Sequence, residues 1–434
     1  MTDKDLEEGN TLLVKGPARV IINEGKLEIF GKVFTSEIKE PEVQEEEEEK
    51  EEEEEKEEEE IEIYDESEFE AQNVLIIPSG FRYPLHALED LELEVHVSSE
   101  DQMEELEEDT IPDEWKELKD TMLEDIKEKK FEEPLKIMVM GLSAGKTTLI
   151  KYLANKLLDK NLKIAYLDSD LGQQTVYFPT TINIGKIEEP IVASEDIEAE
   201  DTVFIGATFP KGNYKFIVSH ACENLIKDYY KNNPETDAVL IDTDGWIKTE
   251  AGIVYKSFFI QTVDPDLILV FKDEEIEEFD EILNKAEEKE EREILIIEDE
   301  NKYYYEKSKE ERRWIRQSIF SKGFENFQKI TIPLSSNEIE FVKLDYDEEN
   351  DQIVEKELNP REIIDLPYHY VIISIMDEED NIINLGLLFV INLEKDYVLV
   401  FSDLDYKEQM RVKKIMLGSL RLSTKGNHQG YLYL

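Results

Sequence analysis

Lys146-Thr147-Thr148 follows Gly141-Leu142-Ser143-Ala144-Gly145, and an apolar run, Ile137 to Met140, precedes it. Such a strand, glycine-rich loop and helix start form a phosphate cradle. Loop N–H groups and the positive end of the helix face the phosphate oxygens. Lysine reaches the β- and γ-phosphates, and a threonine hydroxyl serves Mg²⁺. Gly141, Ser143, Ala144, Gly145, Lys146, Thr147 and Thr148 are therefore the candidate nucleotide-binding residues. Only three residues separate Gly141 from Gly145, one fewer than the usual four. Either the loop is one residue tighter, or Met140 stands at the first-glycine position.

Three further clusters could do chemistry. Asp168 and Asp170 end a second apolar run and lead into Leu171-Gly172-Gln173-Gln174. A carboxylate there can accept a hydroxyl proton or hold Mg²⁺. Asp242-Thr243-Asp244-Gly245 ends a third run and also fits the D-x-x-G switch of GTPases; Trp246, next to it, could stack a base or fill a core. Residues 307–316, KSKEERRWIR, are the densest basic stretch. Arg312 and Arg316 share a helix face there and could stabilise a transferring phosphoryl group.

Elements must position these groups. Leu149, Ile150, Leu153, Ala154, Leu157 and Leu158 recur at helical spacing after the loop. Strands are expected at KIAYLDSD, Ala238–Asp242 and Leu267–Phe271, alternating with helices, which predicts an α/β core with a parallel sheet and ligands at strand C-termini. Short strands precede and follow this core. Domains are thus expected at 1–109 (all-β), 110–330 (P-loop core) and 331–434 (all-β). Thr110 is the expected N-cap of a linking helix that buries Trp115, Leu118, Met122 and Ile126.

Charge narrows the function. The chain of 434 residues has a formal net charge of −57. Residues 37–70 hold 22 acids and 3 lysines, a local −19, so the remainder still carries −38. That argues against broad duplex binding, which needs a basic face, but leaves room for a narrow basic site gripping one strand end. The acidic tract reads as an insert in a strand–strand loop, and a basic protein is its expected partner. Cys222 is the only cysteine, and the five histidines show no ligand spacing. No apolar run approaches the about 20 residues that cross a bilayer. With no signal-peptide pattern at the start, a cytoplasmic protein without membrane association is expected.

Taken in order, these segments resemble the polynucleotide 5′-hydroxyl-kinase family, which includes the pre-mRNA cleavage-factor and ribosomal-RNA-processing kinases. GPARVIINEGKLEIFGK and IPSGFRYPLHALED resemble its N-terminal β domain; DSDLGQQ, FPTT, GATFPKGN and IDTDGWIK its kinase core; KSKEERRWIR its arginine lid; LGSLRL its C-terminal domain. The resemblance implies ATP and Mg²⁺ as cofactors, bound by Lys146 and Thr147, with the 5′-OH end of RNA as acceptor and DNA left open. It implies Asp170 as general base and outer Mg²⁺ partner, Gln173 as a positioner of the strand end, and Thr180 and Thr181 as a clasp on the substrate phosphate. Trp246 would stack the terminal base, and Arg312 and Arg316 would form the lid.

Two rivals remain. A switch-type GTPase would want an N-K-x-D motif, and the nearest match, Asn284-Lys285-Ala286-Glu287, ends in Glu. A non-catalytic ATP-binding scaffold of an RNA-processing complex fits the shortened loop.

Overall fold

The computed structural model describes residues 1–36, 73–127, 133–141, 145–174, 176–271, 278–287, 292–297, 303 and 307–432. The acidic insert lies outside the described residues, as do Leu142, Ser143 and Ala144 of the phosphate loop. The chain divides into two compact units, Met1–Thr110 and Ile111–Leu434.

The first unit is all-β. One sheet runs Thr2–Leu6, Leu91–Val97, Ala18–Glu24, Val74–Ile77; the other runs Lys32–Thr35, Lys26–Ile29, Arg82–Ala87, Thr11–Lys15, Met103–Leu106. Alternation drives both. In Leu91–Val97 the odd positions Leu91, Leu93 and Val95 are buried. Gly25 turns the chain between the strands at Ala18–Glu24 and Lys26–Ile29 with φ +92°.

A seven-stranded sheet forms the core of the second unit. Its order is Asp201–Phe204, Thr181–Ile187, Ile164–Asp168, Ala238–Asp242, Leu135–Gly141, Leu267–Phe271, Glu293–Ile297. The last five are mutually parallel. Thr181–Ile187 and Asp201–Phe204 extend the sheet antiparallel, a departure from the all-parallel expectation. The inner parallel strands are continuous apolar runs because both faces are covered, whereas the edge strand Glu293–Ile297 leaves Leu295 and Ile296 exposed. Ile137, Met138, Val139 and Met140 are all fully buried. Met140 belongs to the core beneath the helices Tyr214–Asn232 and Glu250–Val263, so its side chain does not line the phosphate loop.

The helix before this sheet spans Asp113–Lys127, and its first carbonyl acceptor is Pro112, bonded by Trp115 N at 3.1 Å. Thr110 is therefore not its N-cap. Proline lacks an N–H but keeps its acceptor, so the helix starts one step after it. Trp115, Leu118, Met122 and Ile126 are buried, as the spacing predicts.

An eight-stranded, largely antiparallel sheet completes the second unit. It joins the P-loop core through Gly206, whose carbonyl accepts from Ser419 N at 2.7 Å and Leu420 N at 3.0 Å. A Cβ on Gly418 would lie 2.5 Å from Gly206 Cα, so both positions require glycine.

Candidate functional site

The Leu135–Gly141 strand delivers the phosphate loop, and Gly145 starts the helix Lys146–Leu158. Gly141 has φ +155° and Gly145 φ +110°. Added Cβ atoms would lie 2.7 Å from Phe271 Cβ and 3.2 Å from Phe271 Cε1, respectively. Both glycines thus lie against Phe271, Gly141 at its Cβ and backbone and Gly145 at its ring. Lys146 Nζ donates to the Gly141 carbonyl at 3.0 Å across the loop.

Neighbouring strands bring acids to this point. Asp242 ends the strand beside the P-loop strand, and its Oδ2 accepts from Thr147 Oγ1 at 2.6 Å and from Tyr166 OH at 3.3 Å. A P-loop threonine joined to a strand-end aspartate is the oxygen pair that P-loop proteins use for Mg²⁺. Both donors are hard oxygens, as Mg²⁺ requires. Among the described residues no group of three or more His, Cys, Asp or Glu could hold a metal alone.

Asp170 ends the adjoining loop. Its Oδ1 accepts from Gly172 N at 2.9 Å and Gln173 N at 3.0 Å. Burial, then the Asp244 carboxylate, raises its pKa above the usual carboxylate range, while the two N–H donors oppose the rise. Burial likewise raises the pKa of Asp242 and lowers that of Lys146; their mutual attraction opposes both shifts.

Arg316 and Arg312 diverge. Arg316 Nε donates to the Gly172 carbonyl at 2.7 Å, beside Asp170. Arg312 Nε instead donates to the Lys307 carbonyl at 3.1 Å. Their helix, Lys309–Gly323, begins in a capping box: Ser308 Oγ accepts from Glu311 N at 3.1 Å, and Glu311 Oε2 accepts from Ser308 N at 2.8 Å. It is anchored by Phe320, whose ring stacks on Phe178 at 6.1 Å; Phe324 stacks on the same ring at 6.1 Å.

Phe178 leads into the threonine pair. Thr181 Oγ1 donates to the Phe178 carbonyl at 2.7 Å, so that hydroxyl is engaged internally. Thr180 differs: it is fully buried, has φ +88°, and its Oγ1 has no hydrogen-bond partner. Gln173 lies in the same turn, its Nε2 donating to the Gly172 carbonyl at 3.0 Å. Trp246 is half-buried, its ring 4.4 Å from Phe209, and its backbone N–H donates to Asp244 Oδ1 at 2.7 Å.

Several participants were not legible in the sequence. Lys256 is wholly buried, with Nζ 3.2 Å from Asp244 Oδ2, and so braces the loop that holds Trp246. Lys151 is buried one helical turn after Thr147, where Glu195 and Asp196 partly offset its desolvation. On helices each lysine reads as a solvent residue; only its place on the sheet-facing side gives it away. Asp242 carried a signal, the acid at the end of a buried strand, but the D-x-x-G pattern left its role open. Asn284, Lys285 and Ala286 lie in the helix Glu278–Ala286, not in a base-binding loop after a strand.

Lys307 gives a test of this electrostatic setting. Burial, and then the Lys151 ammonium, lowers its pKa from 10.5 to about 8. Between those values the unfolded chain holds more protons than the folded one, so this group makes stability rise with pH. Lys307→Met removes that contribution. Below pH 8 the variant should gain melting temperature relative to wild type, and the gain should shrink toward pH 10. Parallel melting curves check this; a difference independent of pH would sink it.

The sheet order, the phosphate loop and the acids at neighbouring strand ends define a P-loop protein of the phosphoryl-transfer class. Residues 142–326 match the sequence profile described as mRNA cleavage and polyadenylation factor CLP1 P-loop. It is 25% identical over 340 residues to the polyribonucleotide 5′-hydroxyl-kinase of Methanocaldococcus jannaschii, covering 69% of this chain and 91% of the relative. The corresponding Pyrococcus furiosus protein is 32% identical over 205 residues, 47% of this chain and 54% of the relative. A polynucleotide 5′-hydroxyl-kinase of Dictyostelium discoideum is 31% identical over 151 residues, 32% of this chain and 21% of the relative. A solved Clp1p–Pcf11p complex shares the fold, with TM-score 0.62 and 13% identity over 97% of each chain. Among the described residues no helix is long and apolar enough to cross a membrane.

Proposed function

We propose that the protein is an ATP-dependent polynucleotide 5′-hydroxyl kinase acting on RNA ends, with DNA as a second candidate acceptor. The observation that carries this reading is the Asp170 loop. One turn places a buried-shifted carboxylate, the Gly172 carbonyl and the Arg316 guanidinium together, next to the strand whose Asp242 binds the P-loop threonine.

In the proposed step the acceptor 5′-oxygen forms a bond to the γ-phosphorus of ATP, and the bond to the β–γ bridging oxygen breaks, releasing ADP. Asp170 takes the hydroxyl proton; a carboxylate with a raised pKa is the stronger base for that task. Lys146, with the N–H groups that open the helix at Gly145, Thr147 and Thr148, holds the β- and γ-phosphates. Arg316 stabilises charge on the moving phosphoryl group, and Arg312 supports the same helix from its other end. Thr147 and Asp242 would hold Mg²⁺, with Asp170 outside them; when bound, the ion neutralises charge on the phosphates. Thr180 and Thr181 form the clasp segment for the acceptor's phosphate, Gln173 positions the strand end, and Trp246 stacks the terminal base.

Incubation with γ-labelled ATP, Mg²⁺ and a short 5′-OH RNA, beside the matching DNA, tests the assignment. Label on the RNA 5′ end is expected. The three-residue spacing between Gly141 and Gly145 favours one alternative, a nucleotide-binding scaffold. ATP bound tightly without transfer to either acceptor would favour that alternative.

A further inference from the structure

The final described strand, His428–Tyr431, is unaccounted for by the kinase residues, yet it lies beside them. It pairs antiparallel with Lys414–Leu422, placing Tyr431 opposite Leu420. Leu432 N then donates to the Ser419 carbonyl at 2.6 Å, and Ser419 N to the Gly206 carbonyl at 2.7 Å. Two residues beyond Gly206, Thr208 Oγ1 meets Tyr431 OH at 3.2 Å. The turn before the strand reaches the arginine helix: a Cβ on Gly426, at φ +73°, would lie 2.9 Å from the Gln317 carbonyl.

These contacts bring the strand to the catalytic loop. A Cβ on Gly172 would lie 3.0 Å from the Thr208 carbonyl, 3.2 Å from Arg316 Nη2 and 3.5 Å from Asp170 Oδ1. Thr208 therefore bridges the proposed base to Tyr431, and the next residue, Phe209, bridges to Trp246. Tyr431 and Phe209 remain 38% and 41% exposed, which rings serving only as core would not be. His428 is exposed too, its ring 4.9 Å from that of Tyr431. Partial desolvation, then the Arg313 and Arg316 charges, lowers the His428 pKa, so the imidazole favours its neutral form and offers a ring face rather than a charge. Arg313, exposed on the helix, supplies the cation. Aromatic faces interleaved with arginine, in a chain otherwise strongly acidic, form a stacking platform for single-stranded nucleic acid.

We propose that Phe209, Tyr431 and His428, with Arg313, form a track for the nucleotides that follow the 5′-terminal one in a single-stranded acceptor. This rests on the kinase reading and extends it from one base to several. Specificity for a strand, rather than for a lone nucleoside, then rests on the last strand, the arginine helix and the Phe209 loop together.

The test compares two 5′-OH acceptors in the full chain: a nucleoside 3′-monophosphate and an RNA octamer. Tyr431→Ala should lower the ratio of kcat/KM for octamer over mononucleotide by about tenfold, the loss of one stacked base. Tyr431→Phe, which keeps the ring, should retain most of the ratio. Arg313→Ala, at an exposed helix position, should lower it as well. Equal losses on both acceptors, or an unchanged octamer, would overturn the track while leaving the kinase in place. If wild type transfers to neither acceptor, the kinase reading fails. Fluorescence anisotropy of a 3′-labelled octamer without ATP then decides: weaker binding by Tyr431→Ala supports the track, and equal binding overturns it.

Discussion

Lys146→Ala is expected to lower kcat for phosphoryl transfer by about 10³-fold with little change in melting temperature. The lysine is the P-loop's fixed cation, placed across the loop by its bond to the Gly141 carbonyl. Its ammonium is desolvated there, with Asp242 and Asp170 as the opposing charges. Removing it relieves that desolvation but loses its attraction for Asp242, so the two effects on stability partly cancel. Charge developing on the γ-phosphoryl group would lose its closest protein cation, and nothing offsets that loss. Labelled-phosphate transfer and thermal melting, run side by side, check both halves. A variant with near wild-type kcat would remove the P-loop from the mechanism.

Asp170→Asn should cost about 10²–10⁴-fold in kcat/KM, the range for loss of a general base. Asparagine Oδ1 can still accept from Gly172 N and Gln173 N, so the turn should survive. What disappears is proton acceptance. Because the Asp170 pKa is raised, wild-type activity should fall on acidification at a pH above the usual carboxylate range, as the base becomes protonated. The variant's residual activity should lack that acid limb. Activity within tenfold of wild type, with the limb intact, would assign the base elsewhere.

Much of the fold was legible where physical signals were unambiguous. Ala238–Asp242 and Leu267–Phe271 agree end to end with their strands because unbroken apolar runs are bounded by Asp and Pro. Strand direction was not legible. A short strand such as Thr181–Ile187, TINIGKI, carries no mark of whether its neighbour is parallel, and here it pairs antiparallel with Ile164–Asp168. The α/β P-loop class, with all-β elements before and after, followed from periodicity and from glycine placement. At the site, motifs located the residues but not their partners. That Thr147 bonds Asp242, or that Arg316 and Arg312 turn to different carbonyls, depends on side-chain directions that spacing leaves free. Ser143, Ala144 and the acidic tract fall outside the described residues, and their expected roles stand as sequence readings.

Phe178 lies two residues before Thr180 and also carries the rings of Phe320 and Phe324 from the arginine helix and its end. The threonine segment and the helix are therefore not independent parts. Order gained by one lowers the entropy that the other must lose. On the kinase reading, ATP acts on the helix and the acceptor on the threonines, so each substrate should tighten the other by the same factor. Three phenylalanines would then set the cooperativity between two substrates that neither needs to touch.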